Sequence, residues 1–316
     1  MPLAVIVPFR EELFSTGTPT EEMELVPFVS GETDREILQN VLVGDTVEEM
    51  DLGTYLLGVV RAEMPASFEP EALKAQTVAA RTYTLYQLRG GGNHADVADI
   101  CTDSTCCPAY HSEGQAVENW GESAAVYEAK VENAVMSTDG QVILYKDEPI
   151  LAVFHSSSAG LTRAAGEVWL NDLPYLQAVE SLEDGERIRN YYSRVELSAE
   201  EFRTAIRAVW PELDLTGSME TWLTDAVTDA AGSVVSLRVG GMQIKGSALR
   251  SALGLRSACF DWEIQNGKLV FFVTGYGHGV GLSQYGANQM AENGATWEEI
   301  LTHYYSGVSV GSYPVG

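Results

Sequence analysis

The chain has 316 residues, 45% of them apolar, enough for one large domain or two modest ones with a substantial core. Acidic residues outnumber basic ones 45 to 19, a formal charge of −26. Such a surface excludes nucleic acid and anionic lipid as partners, tolerates a neutral polysaccharide, and at the least confers solubility.

Residues 1 to about 35 mix Pro, Thr, Ser, Gly and Glu without periodicity and read as a linker or N-terminal extension. The apolar run from Leu3 to Val7 is far short of the roughly 20 residues that a membrane span needs. Met1 directly before it points to an anchor or signal outside this chain. Asp51 caps a predicted helix from Leu52 to about Glu63, which Pro65 stops. A long helix follows from Pro70 to about Leu88, ended by Gly90-Gly91-Gly92. Residues 93–120 read as a polar, cysteine-bearing loop, long enough that a functional or metal-stapled segment is expected. Gly121 to Val135 is helical, Asp139-Gly140 a turn, and 141–146 and 149–156 two paired strands. Ser198-x-x-Glu201 is a capping box opening a helix to about Val209. Strand-like runs at 222–229 and 233–239 precede a short helix near 247–253. Asn266-Gly267 marks a tight hairpin, and Thr296-x-x-Glu299 caps the last helix. Strands and helices mix without a βαβ rhythm, which predicts an α+β fold.

Several constellations can carry chemistry. Leu52, Tyr55, Leu56, Val59 and Glu63 fall at i, i+3, i+4, i+7 and i+11, so Glu63 shares the apolar stripe at the helix C-terminus. Desolvation and the negative end of the helix dipole both disfavour its charge. A carboxylic acid kept protonated near neutral pH is what protonates a leaving glycosidic oxygen. The plain alternative is a glutamate snorkelling off the helix end. No other acid has a comparable setting; Asp172 is the alternative second acid. Lys74 and Arg81 share one face of the long helix, and either bind substrate carbonyls, hold Glu63, or form structural ion pairs. Ser156-Ser157-Ser158 at a strand end offers hydroxyls and amides to sugars, or is an ordinary polar turn; His155 before it either joins them or packs. Cys101, Cys106 and Cys107 crowd one loop with His94 and His111, while Cys259 is remote. Such a set suits a structural zinc, and a disulfide between Cys101 and Cys107 is the rival.

The glycine-rich segment Gly275-Tyr276-Gly277-His278-Gly279-Val280-Gly281-Leu282-Ser283-Gln284-Tyr285-Gly286-Ala287 follows a strand-like run and precedes a helical one. With Tyr55-Leu56-x-Gly58-Val59-Val60-x-x-Glu63-Met64-Pro65, the run Glu71 to Tyr83, and Phe154 to Thr162, it closely resembles the stage II sporulation protein D family, in family order over roughly residues 50–305. Ala159-Gly160 stands where the family usually has two glycines.

The resemblance implies an extracytoplasmic, membrane-anchored lytic transglycosylase that cuts peptidoglycan glycan strands, stripped of stem peptides, to 1,6-anhydro products during engulfment. It implies Glu63 as the catalytic acid. Lys74, Arg81, Ser156, Ser157, Ser158, Thr162, His278, Gln284 and Tyr285 are the implied substrate-binding residues. It implies zinc on His94, Cys101, Cys106 and Cys107, with no organic cofactor, although Cys106 and Pro108 depart from the family's His and Gln. It implies an amidase and a membrane protein as partners. A non-catalytic glycan-binding enhancer of an amidase is the second reading, and a zinc hydrolase is disfavoured by the cysteine-rich set. The expected architecture is a discontinuous catalytic core, 36–180 and 258–316, with a helical N-terminal part, β-hairpins and a smaller inserted α/β lobe at 181–257.

Overall fold

A computed structural model describes residues 28–90, 96–169 and 171–313. The fold is α+β, with several small sheets and no regular strand–helix alternation. It forms two compact units: Met1–Ala152 with Gly294–Leu301 and Val308–Gly316, and Val153–Asn293 with Thr302–Gly307. Most of the expected leading linker lies outside the described residues, and its last part enters a short helix, Glu32–Glu36.

The first unit is helical at its centre. Asp51 caps Leu52–Glu63 by accepting the Thr54 amide at 3.0 Å. The helix ends where Met64 turns extended before Pro65, the conformation a following proline imposes. Leu52, Tyr55, Leu56, Val59 and Val60 are fully buried. Pro70–Arg89 carries Pro70 in its first turn and packs against Leu52–Glu63 and Ala124–Ser137. Its buried alanines, Ala72, Ala75, Ala79 and Ala80, permit close helix approach. A hairpin precedes these helices, Leu38–Val43 with Thr46–Asp51, and Ile100–Cys101 adds to it in parallel beside Val41 and Leu42.

Two elements differ from the sequence reading. Residues 93–120 include a helix, Glu113–Trp120, opened by a Ser112/Gln115 capping box. Only Ala116 of that helix is buried, so there was no apolar period to reveal it. The expected strand at 149–156 also divides. Glu148–Pro149 pairs with Gln141–Tyr145 across a turn at Lys146 and Asp147, whereas Phe154–His155 pairs in parallel with Leu282–Ser283.

In the second unit the predicted hairpin forms at Asn266 and Gly267, both at positive φ. Its strands Phe260–Gln265 and Lys268–Thr274 are joined by Tyr192–Ser198. The Ser198/Glu201 capping box opens Ala199–Val209, which stacks Phe202 on Trp222 and Phe271. The expected inserted lobe, 181–257, lies wholly inside this unit, and its core residues continue into Phe260, Leu269, Phe271 and Val273.

One buried ion pair ties the first unit together. Arg81 is 0% exposed and grips the Asp34 carboxylate with Nε at 2.8 Å and Nη2 at 2.7 Å. Its remaining donors reach Thr138 Oγ1 and the carbonyls of Gln141 and Val135. Removing one partner strands the other charge in the interior, a loss of about 3–5 kcal/mol, while replacing both is far milder. Arg81→Met should therefore lower unfolding free energy in urea by that order, and Arg81→Met with Asp34→Leu should recover much of it.

Candidate functional site

Glu63 is the last residue of Leu52–Glu63 and is 8% exposed. Its Oε1 accepts the Ala109 amide at 2.6 Å. The low-dielectric wall disfavours a carboxylate there and the amide stabilises one, so a backbone group opposes the burial. That amide is delivered by a clamp. The Tyr110 ring stacks on Tyr55 at 6.0 Å and lies so close to Gly58 that a methyl group there would overlap it. The His111 amide donates to the Gly58 carbonyl at 2.9 Å. Gly58 is thus required for close approach.

The clamp begins at the cysteines. Ile100–Cys101 is held in the small sheet, and the amides of Cys106 and Cys107 turn back on the Asp103 carbonyl. The Cys101 and Cys106 sulfurs are 3.6 Å apart, as are those of Cys106 and Cys107, and all three lie within 4.8 Å of one another. No disulfide joins them. Zinc–sulfur bonds of about 2.3 Å in a tetrahedron put sulfurs about 3.8 Å apart, so the trio fits three corners of a zinc site. Burial pushes the Cys101 and Cys107 thiols up, a cost that a bound cation relieves. The fourth expected ligand, His94, lies outside the described residues. Cys259 belongs to the second unit, its thiol on the Ala231 carbonyl at 3.8 Å and pushed up to about 11 by burial.

Lys74 and Arg81 on the long helix both make ion pairs. Lys74 is half-buried and holds Glu71 at 2.7 Å. Arg81 is spent on Asp34 and does not reach a surface. Asp172 is exposed.

In the second unit the backbone knits the serine segment to the glycine loop. Ser157 and Tyr276 exchange both amide bonds, at 3.0 and 2.9 Å, and the Tyr285 amide donates to the Ser156 carbonyl at 3.0 Å. Gly277 and Gly281 hold positive φ, and side chains there would run into His155 Cβ and the Val153 carbonyl. Gly160 is also at positive φ but Ala159 is not, so an alanine is accommodated where the family has a glycine.

His155 and His278 are neutral and occupied. The Val280 carbonyl can only accept, so His155 Nδ1 carries the proton at 3.2 Å and Nε2 accepts from Ser158 Oγ at 2.8 Å. Burial pushes His155 down to about 4. His278 Nδ1 accepts the Val280 amide at 3.1 Å, and its other nitrogen meets the Phe154 backbone. Its ring lies between His155 and Trp169, at 5.6 and 5.3 Å. Thr162 is buried, its hydroxyl among the backbone groups of Gln177 and Val179. Ser157, Ser158 and Gln284 are buried, while Ser156 and Tyr285 are half-buried.

A second acid escaped the sequence reading. Glu183 Oε1 accepts the Ser158 amide at 2.8 Å, Ser181 Oγ at 3.0 Å and Ser283 Oγ at 2.5 Å. Its Oε2 is buried with no hydrogen-bond partner among the described residues. Desolvation pushes this carboxyl up to about 7, against the serine hydrogen bonds. Glu183 stands in an irregular stretch, and its partners come from three separated segments, so no local pattern marks it. Because its folded value exceeds the unfolded one, the stability it confers is complete below about pH 4.5 and is lost as pH rises to about 7. Glu183→Gln cannot ionise. Its melting temperature should match the parent at pH 4.5 and exceed it at pH 8; a constant offset across thermal melts in that range would refute the assignment.

The sequence model of a family described as Stage II sporulation protein matches residues 44–145, which include Glu63, Lys74, Arg81 and the clustered cysteines. Stage II sporulation protein D of Bacillus amyloliquefaciens is 35% identical over 84% of this chain and 75% of its own length. Stage II sporulation protein D of Bacillus subtilis (strain 168) is 32% identical over 98% of this chain and 91% of its own. A protein named Amidase enhancer, also of Bacillus subtilis (strain 168), is 27% identical over 82% of this chain and 40% of its own length.

Proposed function

The chain belongs to the stage II sporulation protein D family, and on that premise we propose that it is a peptidoglycan lytic transglycosylase with Glu63 as its sole acid and base. The observation that carries this reading is a carboxyl group 8% exposed at a helix end that accepts the Ala109 amide. Protonated Glu63 gives its proton to the glycosidic oxygen, the C1–O bond of the muramic residue breaks, and the carboxylate then takes the proton of that sugar's 6-hydroxyl as the 6-oxygen bonds to C1. The product is a 1,6-anhydro sugar, no water is consumed, and Glu63 returns to its starting form. A single carboxyl suffices because the nucleophile is part of the substrate, unlike the two-carboxylate hydrolases.

Lys74 of the first unit and Ser156, Ser157, Ser158, Gln284 and Tyr285 of the second are the proposed sugar-binding residues, with Thr162 and His278 supporting them from the interior. Peptide-free glycan strands are the proposed substrate, which requires an amidase upstream. A membrane partner and an extracytoplasmic site follow from the same family reading. No helix among the described residues is long and apolar enough to cross a membrane. The second reading, a glycan-binding enhancer without turnover, draws on the similarity to the protein named Amidase enhancer.

Glu63→Gln keeps the shape and can still accept the Ala109 amide, but it cannot deliver a proton. It should fold normally and bind glycan. Release of anhydro ends from purified peptide-free strands should drop by about 10²–10⁴-fold, measured by mass spectrometry of the products. Near-parental release by the variant refutes the single-glutamate mechanism; no release by the parent itself favours the enhancer reading.

Zinc on Cys101, Cys106 and Cys107, completed by His94, is proposed as structural, because it would pin the loop that presents Ala109 to Glu63. Metal analysis should find one zinc per chain. Chelation or Cys106→Ser should lower the melting temperature and cleavage together. A stoichiometric disulfide without metal would overturn this.

A further inference from the structure

Buried cations in this acidic chain are matched to carboxylates: Arg61 to Glu128, Arg81 to Asp34, Arg163 to Asp229. Two half-buried arginines beside the glycine loop are not. Arg250 and Arg256 make no ion pair among the described residues, although the chain carries 45 acids. Arg256 lays its guanidinium over the Tyr276 ring at 3.8 Å, and its Nε is buried without a hydrogen-bond partner. Arg250 directs its Nε to the carbonyls of Leu255 and Arg256, both at 3.2 Å. The Gly277 amide donates to the same Arg256 carbonyl at 3.0 Å. The Tyr276 backbone is in turn bonded to Ser157, and the Tyr285 amide to Ser156. The two guanidinium groups are thereby built rigidly into the backbone that presents the serine segment.

Burial lowers the proton affinity of both, with Tyr276 the main group that opposes it. An arginine fork stacked on an aromatic face, with an open electrostatic requirement, is suited to a planar anion. Phosphate and nucleic acid are opposed by the overall charge of −26, whereas one localised carboxylate on an otherwise neutral sugar meets little of that repulsion.

We propose that Arg256, stacked on Tyr276 and backed by Arg250, is a carboxylate-binding subsite that recognises the acidic group borne by a glycan strand. This rests on the glycan reading above but not on cleavage. The carboxylate comes either from the sugar's own lactyl ether or from an attached peptide.

The test is binding of the Glu63→Gln protein to three purified probes: peptide-free strands, the same strands with carboxyl groups amidated, and peptide-bearing strands. Amidation should weaken binding at least 10-fold. Arg256→Gln should weaken binding to unmodified strands similarly and abolish the effect of amidation, while Arg256→Lys should retain part of it. Tighter binding of the peptide-free probe assigns the lactyl carboxylate, and tighter binding of the peptide-bearing probe assigns the peptide's. Equal binding of amidated and unmodified strands, with no tighter binding of the peptide-bearing probe, overturns the subsite, and because this comparison needs no arginine variant it holds even if Arg256→Gln fails to fold. Loss of cleavage in the parent with carboxylate-dependent binding intact would sink the transglycosylase reading alone.

Discussion

The contact on which the proposed chemistry depends is the docking of the cysteine loop on the helix Leu52–Glu63. Gly58 opens the space, Tyr110 fills it against Tyr55, and the His111 amide locks the register. The same register places the Ala109 amide on Glu63. Three sulfurs at metal-ligand spacing stand just upstream of that amide. The cysteines therefore bear on the acid through backbone geometry, as a structural site does, with no contact to the reacting atoms required.

The second unit uses a different strategy. Its glycine loop and serine segment are held by backbone bonds and by polar side chains satisfied inward. His155 has both ring nitrogens engaged and His278 accepts the Val280 amide on Nδ1, and burial keeps both rings neutral. Glu183 gathers a backbone amide and two hydroxyls on one oxygen. Networks of this type are costly when half-satisfied and rigid when complete. Rigidity is what the proposed binding segment would need, since a mobile serine run would lose ordering entropy on any sugar it held.

Electrostatics separate cations sealed against acids from cations without a carboxylate partner among the described residues. Arg81 and Arg163 are sealed against acids and stabilise their units. Among the described residues Arg250 and Arg256 make no ion pair, and carbonyls and an aromatic ring help offset their desolvation.

Much of this was legible in local pattern. Asp51, Pro65, Pro70 and the Ser198/Glu201 box gave the helices, and Asn266-Gly267 gave the hairpin, because caps and turns are decided by a few adjacent residues. The apolar stripe foretold the burial of Glu63 for the same reason. The sequence blocks also determined the family. What local pattern could not supply was long-range pairing. Whether Arg81 met a sugar or Asp34, 47 residues earlier in the chain, was open until the fold brought them together. Phe154–His155 looked like half of a hairpin and instead paired with Leu282–Ser283. Glu183 became a buried acid only when Ser158, Ser181 and Ser283 converged on it. Burial and hydrogen bonding of a polar side chain depend on distant neighbours, and those are chosen by tertiary packing rather than by the residues beside it.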